Sequence, residues 1–119
     1  MKKAIIYTRT AVPNTASNKK QEQICLRFAR DNGFEVVCIY TDNGFSGMNA
    51  RRSAFRQIMA SRTSKDWDIV IIYDCARFFL KTRSFIKYLK ILRQAGKDIF
   101  PVTGAFGDLP AWLLPYLEL

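Results

Sequence analysis

The chain has 119 residues, of which 49% are hydrophobic and 13% aromatic, enough to fill the core of one domain. It contains no histidine, so serine–histidine and cysteine–histidine catalytic pairs and histidine-bound zinc are excluded. A formal net charge of +9 favours a polyanionic partner such as nucleic acid, although a basic surface can also be simply solvated.

The first half of the chain has the pattern strand, helix, strand. The apolar run KAIIYT over residues 3–8 predicts a strand that leads directly into Arg9. Apolar residues at helical spacing predict a helix over residues 19–32, with Asn18 as its N-terminal cap and a glycine at its end. The run EVVCIYT over residues 35–41 predicts the second strand.

The second half continues with helix, strand, helix, strand. Helical spacing of apolar residues predicts helices over residues 53–62 and 82–95. The runs DIVIIYD and DIFPVT predict strands over residues 68–74 and 98–103. Three of the four strands, all but the last, are nearly continuous apolar segments, which is typical of strands covered on both faces.

The alternation of strands and helices, without a linker or repeat, predicts a single α/β domain over residues 1–119. We expect three layers, with a mostly parallel central sheet of four or five strands and helices on both faces. Residues 104–119 are expected to form a short terminal segment, either a helix packed on the sheet or the start of an interface helix.

Three further features predict a cytoplasmic protein without a metal or nucleotide cofactor. Cys25, Cys38 and Cys75 lie in apolar surroundings without CxxC spacing, so we expect reduced core thiols and no metal site. The apolar runs near the two ends are too short for a signal peptide or a membrane span. Neither GxGxxG nor GxxxxGK[ST] is present, so no nucleotide cofactor is expected.

Basic side chains follow three of the predicted strands. Parallel α/β sheets bind ligands at the carboxyl ends of their strands, so these side chains are expected to surround one crevice. The planar forks of arginines match phosphate geometry. The alternative is that each arginine pairs with a local carboxylate such as Asp42 or Asp74. The basic residues at this edge are Arg9, Arg51, Arg52, Arg77, Lys81 and Arg83.

The motifs YTRTA, FARDNG, YTDNGFSG followed by RR, and DIVIIYDCAR resemble, in order and spacing, the catalytic domain of the serine recombinases, the resolvase and invertase group. The resemblance covers about residues 3–103. It implies DNA strand exchange without a metal or a high-energy cofactor, in which a serine hydroxyl attacks a phosphodiester and forms a phosphoserine linkage. It also implies DNA as the partner, bound through its phosphate backbone by a homodimer or homotetramer.

The resemblance assigns roles to particular residues. Arginines of this family neutralise charge on the phosphoryl oxygens, and the matching positions are Arg9, Arg52 and Arg77. The residues expected to order the loop and the first helix around them are Asp42, Ser46 and Gln23. The second arginine of the family motif D-R-x-x-R falls on Leu80, and the nearby substitutes for substrate binding are Lys81 and Arg83.

Two departures from the family pattern concern the chemistry. The nucleophile position falls on Ala11, whose methyl group cannot attack a phosphodiester, and the acid of D-R-x-x-R falls on Ala76. The hydroxyl of Thr10 is expected on the opposite face of the strand, and the remaining hydroxyls nearby lie in a stretch expected to be flexible, residues 11–20. The resemblance therefore implies a recombination domain with impaired cleavage or, alternatively, a lapsed relative that binds DNA or regulates.

Overall fold

The structure is a computed structural model that describes residues 1–103, so the segment expected within 104–119 lies outside the described residues. The strands are β1 (Lys3–Thr10), β2 (Glu35–Asn43), β3 (Ile69–Ile72) and β4 (Asp98–Pro101). The helices are α1 (Thr15–Asp31), α2 (Ser53–Ala60), α3 (Cys75–Phe78) and α4 (Thr82–Gln94).

The described strands form one four-stranded sheet in the order β2-β1-β3-β4, and every pairing is parallel. In the register of β1, Arg9 lies beside Asp42 of β2, and Tyr7 lies beside Ile72 of β3. The predicted α/β fold is confirmed. Because all four strands run in the same direction, their carboxyl ends meet at one edge.

Helices cover both faces of the sheet because side chains alternate along the central strands. Ala4 and Ile6 of β1 pack in a cluster with Cys25 of α1. Ile5 and Tyr7 point the other way, into a larger cluster with residues of α2, α3 and α4. Strand β1 is thus buried on both sides, and its carboxyl end lies between the two helical layers.

Strand β2 departs from the expectation that apolar strands are covered on both faces. It lies at the edge of the sheet, and Val37, Cys38 and Ile39 are exposed. The register between β1 and β2 shifts at Val37, which has no partner on β1. The expectation of three core thiols is therefore wrong for Cys38, whereas Cys25 is buried and its burial raises the pKa of its thiol to about 12.

Helix α1 begins earlier than predicted because the cap is Asn14 rather than Asn18. The side-chain Oδ1 of Asn14 accepts a hydrogen bond from the main-chain N of Ser17 at 3.0 Å. Asn18 is buried, and its Nδ2 donates to Oγ1 of Thr10 at 3.0 Å. Thr15 and Ser17 therefore lie on a regular helix, and the expectation of a flexible stretch is wrong for residues 15–20.

The other helices follow the predicted pattern, with one addition. Helix α4 matches its predicted range to one residue, and α2 ends two residues before the expected position. Helix α3 was not predicted. The side chain of Asp74 caps it, accepting a hydrogen bond from the main-chain N of Arg77 at 3.1 Å. No helix within residues 1–103 is long and apolar enough to cross a membrane.

Candidate active site

Three arginines from separate parts of the chain meet at the carboxyl edge of the sheet. Arg9 lies near the end of β1, Arg52 directly precedes α2, and Arg77 lies in α3. Nε of Arg9 and Nη1 of Arg52 both donate to the main-chain oxygen of Arg77, at 3.0 and 3.3 Å. Nη1 of Arg77 donates to the main-chain oxygen of Arg9 at 3.2 Å. The expected convergence of arginines is present.

The guanidinium of Arg9 is enclosed. The residue is 3% exposed, and besides its bond to Arg77 it donates to the main-chain oxygens of Phe45 at 3.0 Å and Ala76 at 2.7 Å. Gly47 lies so close that a Cβ there would be 2.6 Å from Nη2 of Arg9. Burial, and secondly the charge of Arg52, lower the pKa of Arg9 below its usual value.

Arg52 is completely buried and binds neutral acceptors. Its guanidinium carbon lies 4.6 Å from the ring centroid of Phe55 and 4.4 Å from that of Phe79, within cation–π range. Its nitrogens donate to the hydroxyl of Tyr7 at 3.0 Å and to the main-chain oxygens of Asn49, Arg77 and Phe78. The side chain therefore holds together β1, the loop before α2, and α3.

The carbonyl groups at the end of α3 explain why the arginines gather there. A helix of four residues cannot satisfy its last carbonyls internally, and positive charge is favourable at a helix C-terminus. Arg9 and Arg52 supply donors to the main-chain oxygens of Ala76, Arg77 and Phe78. The two guanidiniums thus cap α3.

Arg77 is the most accessible of the three arginines. Its side chain is 30% exposed, with Nε 3.4 Å from Oδ1 of Asp74. It lines a cavity of about 190 Å³ together with a second cation, Lys20, two hydroxyl residues, Ser17 and Tyr73, and also Gln21 and Ile24. Among residues 1–103 no carboxylate lines this cavity, so its polar groups suit an anion.

These contacts correct the expectation of one open crevice lined by three free arginines. Arg9 and Arg52 are already bound to main-chain carbonyls, so neither faces an open hollow. The alternative expectation is that each arginine pairs with a local carboxylate. Within residues 1–103, Arg77 is the one of the three that does so, with Asp74. The cavity beside Arg77 offers room for a phosphate at this group.

Asp42 joins the end of β2 to the start of α2. It is buried, and its carboxylate accepts hydrogen bonds from the main-chain N of Ala54 at 2.8 Å, the main-chain N of Phe55 at 3.0 Å and the hydroxyl of Tyr7 at 2.7 Å. Burial, the largest effect, raises the pKa of the Tyr7 hydroxyl, which therefore stays protonated and donates to Asp42. Asp42 orders the segment that carries Arg52.

The glutamine that contacts the arginines is Gln21, and the assignment of Gln23 to this group is not met. Oε1 of Gln21 accepts from the main-chain N of Arg9 at 3.2 Å, and its Nε2 donates to the main-chain oxygen of Arg9 at 3.0 Å. Gln23 is exposed on the outer side of α1, beside Arg27. Helical register could have shown this, because Gln21 precedes the buried Cys25 by four residues and shares its face.

Ala11 directly follows β1 and is exposed. The hydroxyl of Thr10 points away from the arginines, toward Oδ1 of Asn43 at 3.3 Å and Nδ2 of Asn18. Thr8 is buried, and its hydroxyl binds that of Thr41 at 2.9 Å. These contacts agree with the expectation that the Thr10 hydroxyl lies on the opposite face of the strand, and Thr8 shares that face.

The remaining predicted residues lie around the group without contacting its guanidiniums through their side chains. Ser46 is exposed, and its Oγ accepts from the main-chain N of Met48 at 3.0 Å. Lys81 is the exposed residue before α4, and Arg83 is exposed in its first turn. Within residues 1–103 no cluster of three or more cysteine and carboxylate side chains could hold a metal ion.

A parallel α/β sheet with arginines gathered at its carboxyl edge is the arrangement expected of a resolvase-type catalytic domain. A family model described as Resolvase, N terminal domain, matches residues 4–109. The chain belongs to this family, whose serine recombinase members act on DNA in site-specific recombination.

Solved structures show the same fold. The N-terminal catalytic domain of TP901-1 integrase is 25% identical and superposes with a TM-score of 0.86, covering 98% of this chain and 90% of that domain. A resolvase family site-specific recombinase from Streptococcus pneumoniae is 21% identical, with a TM-score of 0.80 and coverage of 99% and 84%. The C-terminal catalytic domain of ISC1926 TnpA, an IS607-like serine recombinase, is 22% identical, with a TM-score of 0.79 and coverage of 86% and 71%. None of the curated proteins matches the chain.

Proposed function

We propose that the protein binds a phosphodiester of the DNA backbone at the carboxyl edge of its sheet, and that strand cleavage there is impaired because position 11 is alanine. The observation that carries this proposal is the cationic cavity beside Arg77. It lies at the carboxyl edge of the sheet, where β1 ends at Thr10 and is followed by Ala11. We also propose, from the family resemblance, a cytoplasmic homodimer or homotetramer on DNA.

In this proposal Arg77 and Lys20 neutralise the phosphate in the cavity, and Gln21 fixes the main chain of Arg9 beside it. Arg9 and Arg52 reach the phosphate only when their bonds to the carbonyls of α3 break. Both cap the same four-residue helix, so a shift of α3 would break these bonds together, and Arg9 would remain bound to Phe45 and Arg52 to Tyr7 and Asn49. Binding and activation are therefore separate steps.

Cleavage needs a hydroxyl at the end of β1. A serine Oγ there would form a bond to phosphorus while the bond from phosphorus to one deoxyribose oxygen breaks. The serine would lose its hydroxyl proton, and the departing deoxyribose oxygen would gain a proton. The methyl group of Ala11 forms no such bond. Thr10 cannot replace it, because its hydroxyl is held by Asn43 and Asn18 on the other side.

Covalent capture tests this proposal. The protein and its Ala11→Ser variant are each incubated with a pool of short duplexes with randomised centres, and protein–DNA adducts are recovered under denaturing conditions. We expect no adduct with the natural sequence. With Ala11→Ser we expect an adduct at position 11, because the change restores a nucleophile without altering the arginines.

The matched controls are Ala11→Gly, which adds no hydroxyl, and Ala11→Ser combined with Arg77→Gln, which removes the exposed cation. Neither should form an adduct. An adduct of the natural sequence at Thr10, Thr15 or Ser17 would show that cleavage is not impaired. A failure of Ala11→Ser to form any adduct on a duplex that the protein binds would contradict the assignment of position 11.

A second candidate function is that of a lapsed relative that binds DNA or regulates an active recombinase without cutting. It is favoured by the enclosure of Arg9 and Arg52, whose hydrogen bonds stabilise the fold whether or not chemistry occurs. This candidate predicts salt-dependent duplex binding by both proteins and no adduct from Ala11→Ser, so the same experiment separates the two functions.

A further inference from the structure

The two faces of the domain differ in charge. Helix α1, on one face, carries four basic and two acidic residues. The three helices on the other face carry no Asp or Glu at all. Their basic residues are Arg56, Arg77, Arg83, Lys87, Lys90 and Arg93.

Both faces contain ion pairs, and on the side of α2, α3 and α4 these are Arg77 with Asp74 and Arg93 with Asp98. On α1, Lys19 pairs with Glu22 at 3.5 Å and Arg30 with Asp31 at 3.8 Å. Within residues 1–103, Arg56, Arg83 and Lys87 form no ion pair with a carboxylate. The charge of these three residues is therefore left for an external partner or for solvent.

The spacing of Arg83 and Lys87 favours a bound partner over simple solvation of these charges. Arg83 and Lys87 are exposed and four residues apart, so they lie above one another on the outward side of α4, opposite the buried Phe85 and Leu89. Like charges at this spacing destabilise a helix in isolation. A bound polyanion would convert the repulsion into attraction.

Aromatic packing brings α2 and α4 into contact. The rings of Phe55 and Tyr88 lie 5.1 Å apart, and Phe79 stacks on Tyr88 at 4.8 Å. Arg56 follows Phe55 in sequence and Lys87 precedes Tyr88, so exposed cations flank this aromatic seam. Arg83, in the first turn of α4, lies near the candidate active site, because only residues 79–81 separate α4 from α3.

We infer that Arg56, Arg83 and Lys87, the α2–α4 surface, bind a stretch of DNA backbone outside the candidate active site, irrespective of base sequence. The inference rests on the proposed function because it takes DNA as the partner. Arg83 and Lys87 are about 6 Å apart along the helix axis, within reach of neighbouring phosphates of one strand. Each neutralised phosphate would release counterions and add to the salt dependence of binding.

Fluorescence anisotropy of a labelled duplex of arbitrary sequence, measured over a series of salt concentrations, tests this surface. The variant Arg56→Gln/Arg83→Gln/Lys87→Gln should weaken binding about tenfold or more and flatten the salt slope by about 2 to 3, since each contact contributes about 0.9. The matched control Lys19→Gln/Arg27→Gln/Arg30→Gln removes the same charge from α1. It should leave the slope nearly unchanged.

Each other outcome overturns the inference in a distinguishable way. Equal effects of the two triple variants would mean that net charge alone governs binding. An unchanged slope in the α2–α4 variant, with weaker binding by Arg77→Gln, would refute this surface and leave the proposed function intact. Flat salt dependence of the natural protein would contradict both proposals, as would binding to vesicles of anionic phospholipid without duplex binding. Thermal unfolding by circular dichroism verifies that the variants are folded.

Discussion

Replacing Arg52 by methionine is expected to lower the free energy of unfolding by about 3–5 kcal/mol. Replacing a buried ion pair by apolar residues is often neutral, but the partners of Arg52 are main-chain carbonyls, which stay in place after the substitution. The hydroxyl of Tyr7 also loses its donor. Each buried polar group left without a partner costs about 1–3 kcal/mol, and methionine restores only the packing on the aromatic rings.

Urea denaturation followed by tryptophan fluorescence, to which the buried Trp67 contributes, measures this change. The matched control is Arg51→Met, one residue earlier, because Arg51 is exposed. A surface substitution of this kind changes stability by about 0.5 kcal/mol or less. Equal losses for the two variants would mean that the internal bonds of Arg52 do not stabilise the fold.

Replacing Asp42 by alanine is expected to lower the free energy of unfolding by about 2–4 kcal/mol. The carboxylate accepts two main-chain N–H groups in the first turn of α2 and the Tyr7 hydroxyl, and it is buried, so water cannot replace it. Its negative charge also lies at the favourable end of the helix dipole. Chemical denaturation measures the loss.

Two control variants sharpen the test of Asp42. Asp42→Asn keeps a hydrogen-bond acceptor of the same shape and should lower the free energy of unfolding by less than Asp42→Ala does. Asp31→Ala removes an exposed carboxylate from the end of α1 and should change stability by about 0.5 kcal/mol or less. If Asp42→Ala were no more destabilising than Asp31→Ala, the role of Asp42 in holding α2 would be refuted.

The parallel sheet could be predicted because its signals are local. Apolar runs that alternate with helical patterns leave few topologies other than parallel strands joined by crossover helices. In this topology Arg9 and Arg77 lie at the same edge of the sheet. The order of strands is a property of the whole fold. The exposure of Cys38 therefore could not be read from an apolar run that looks the same in an edge strand and in a central one.

The enclosure of the arginines could not be predicted because it depends on α3. Four residues are too few to show helical periodicity, and the acceptors for Arg9 and Arg52 are main-chain carbonyls that no side-chain pattern reveals. The assignment of Gln23 failed for a different reason. It followed motif spacing, whereas the register of α1 turns Gln21 toward β1.

The central claim is that DNA phosphate binds beside Arg77 while Arg9 and Arg52 stay bound to α3. The most direct measurement is the guanidinium Nε–H signal of each arginine in proton–nitrogen NMR spectra during titration with a short duplex. The account predicts a large shift for Arg77, little change for Arg27 on α1, and signals of Arg9 and Arg52 that remain protected from solvent exchange. A shift of Arg27 with an unchanged Arg77 would contradict it.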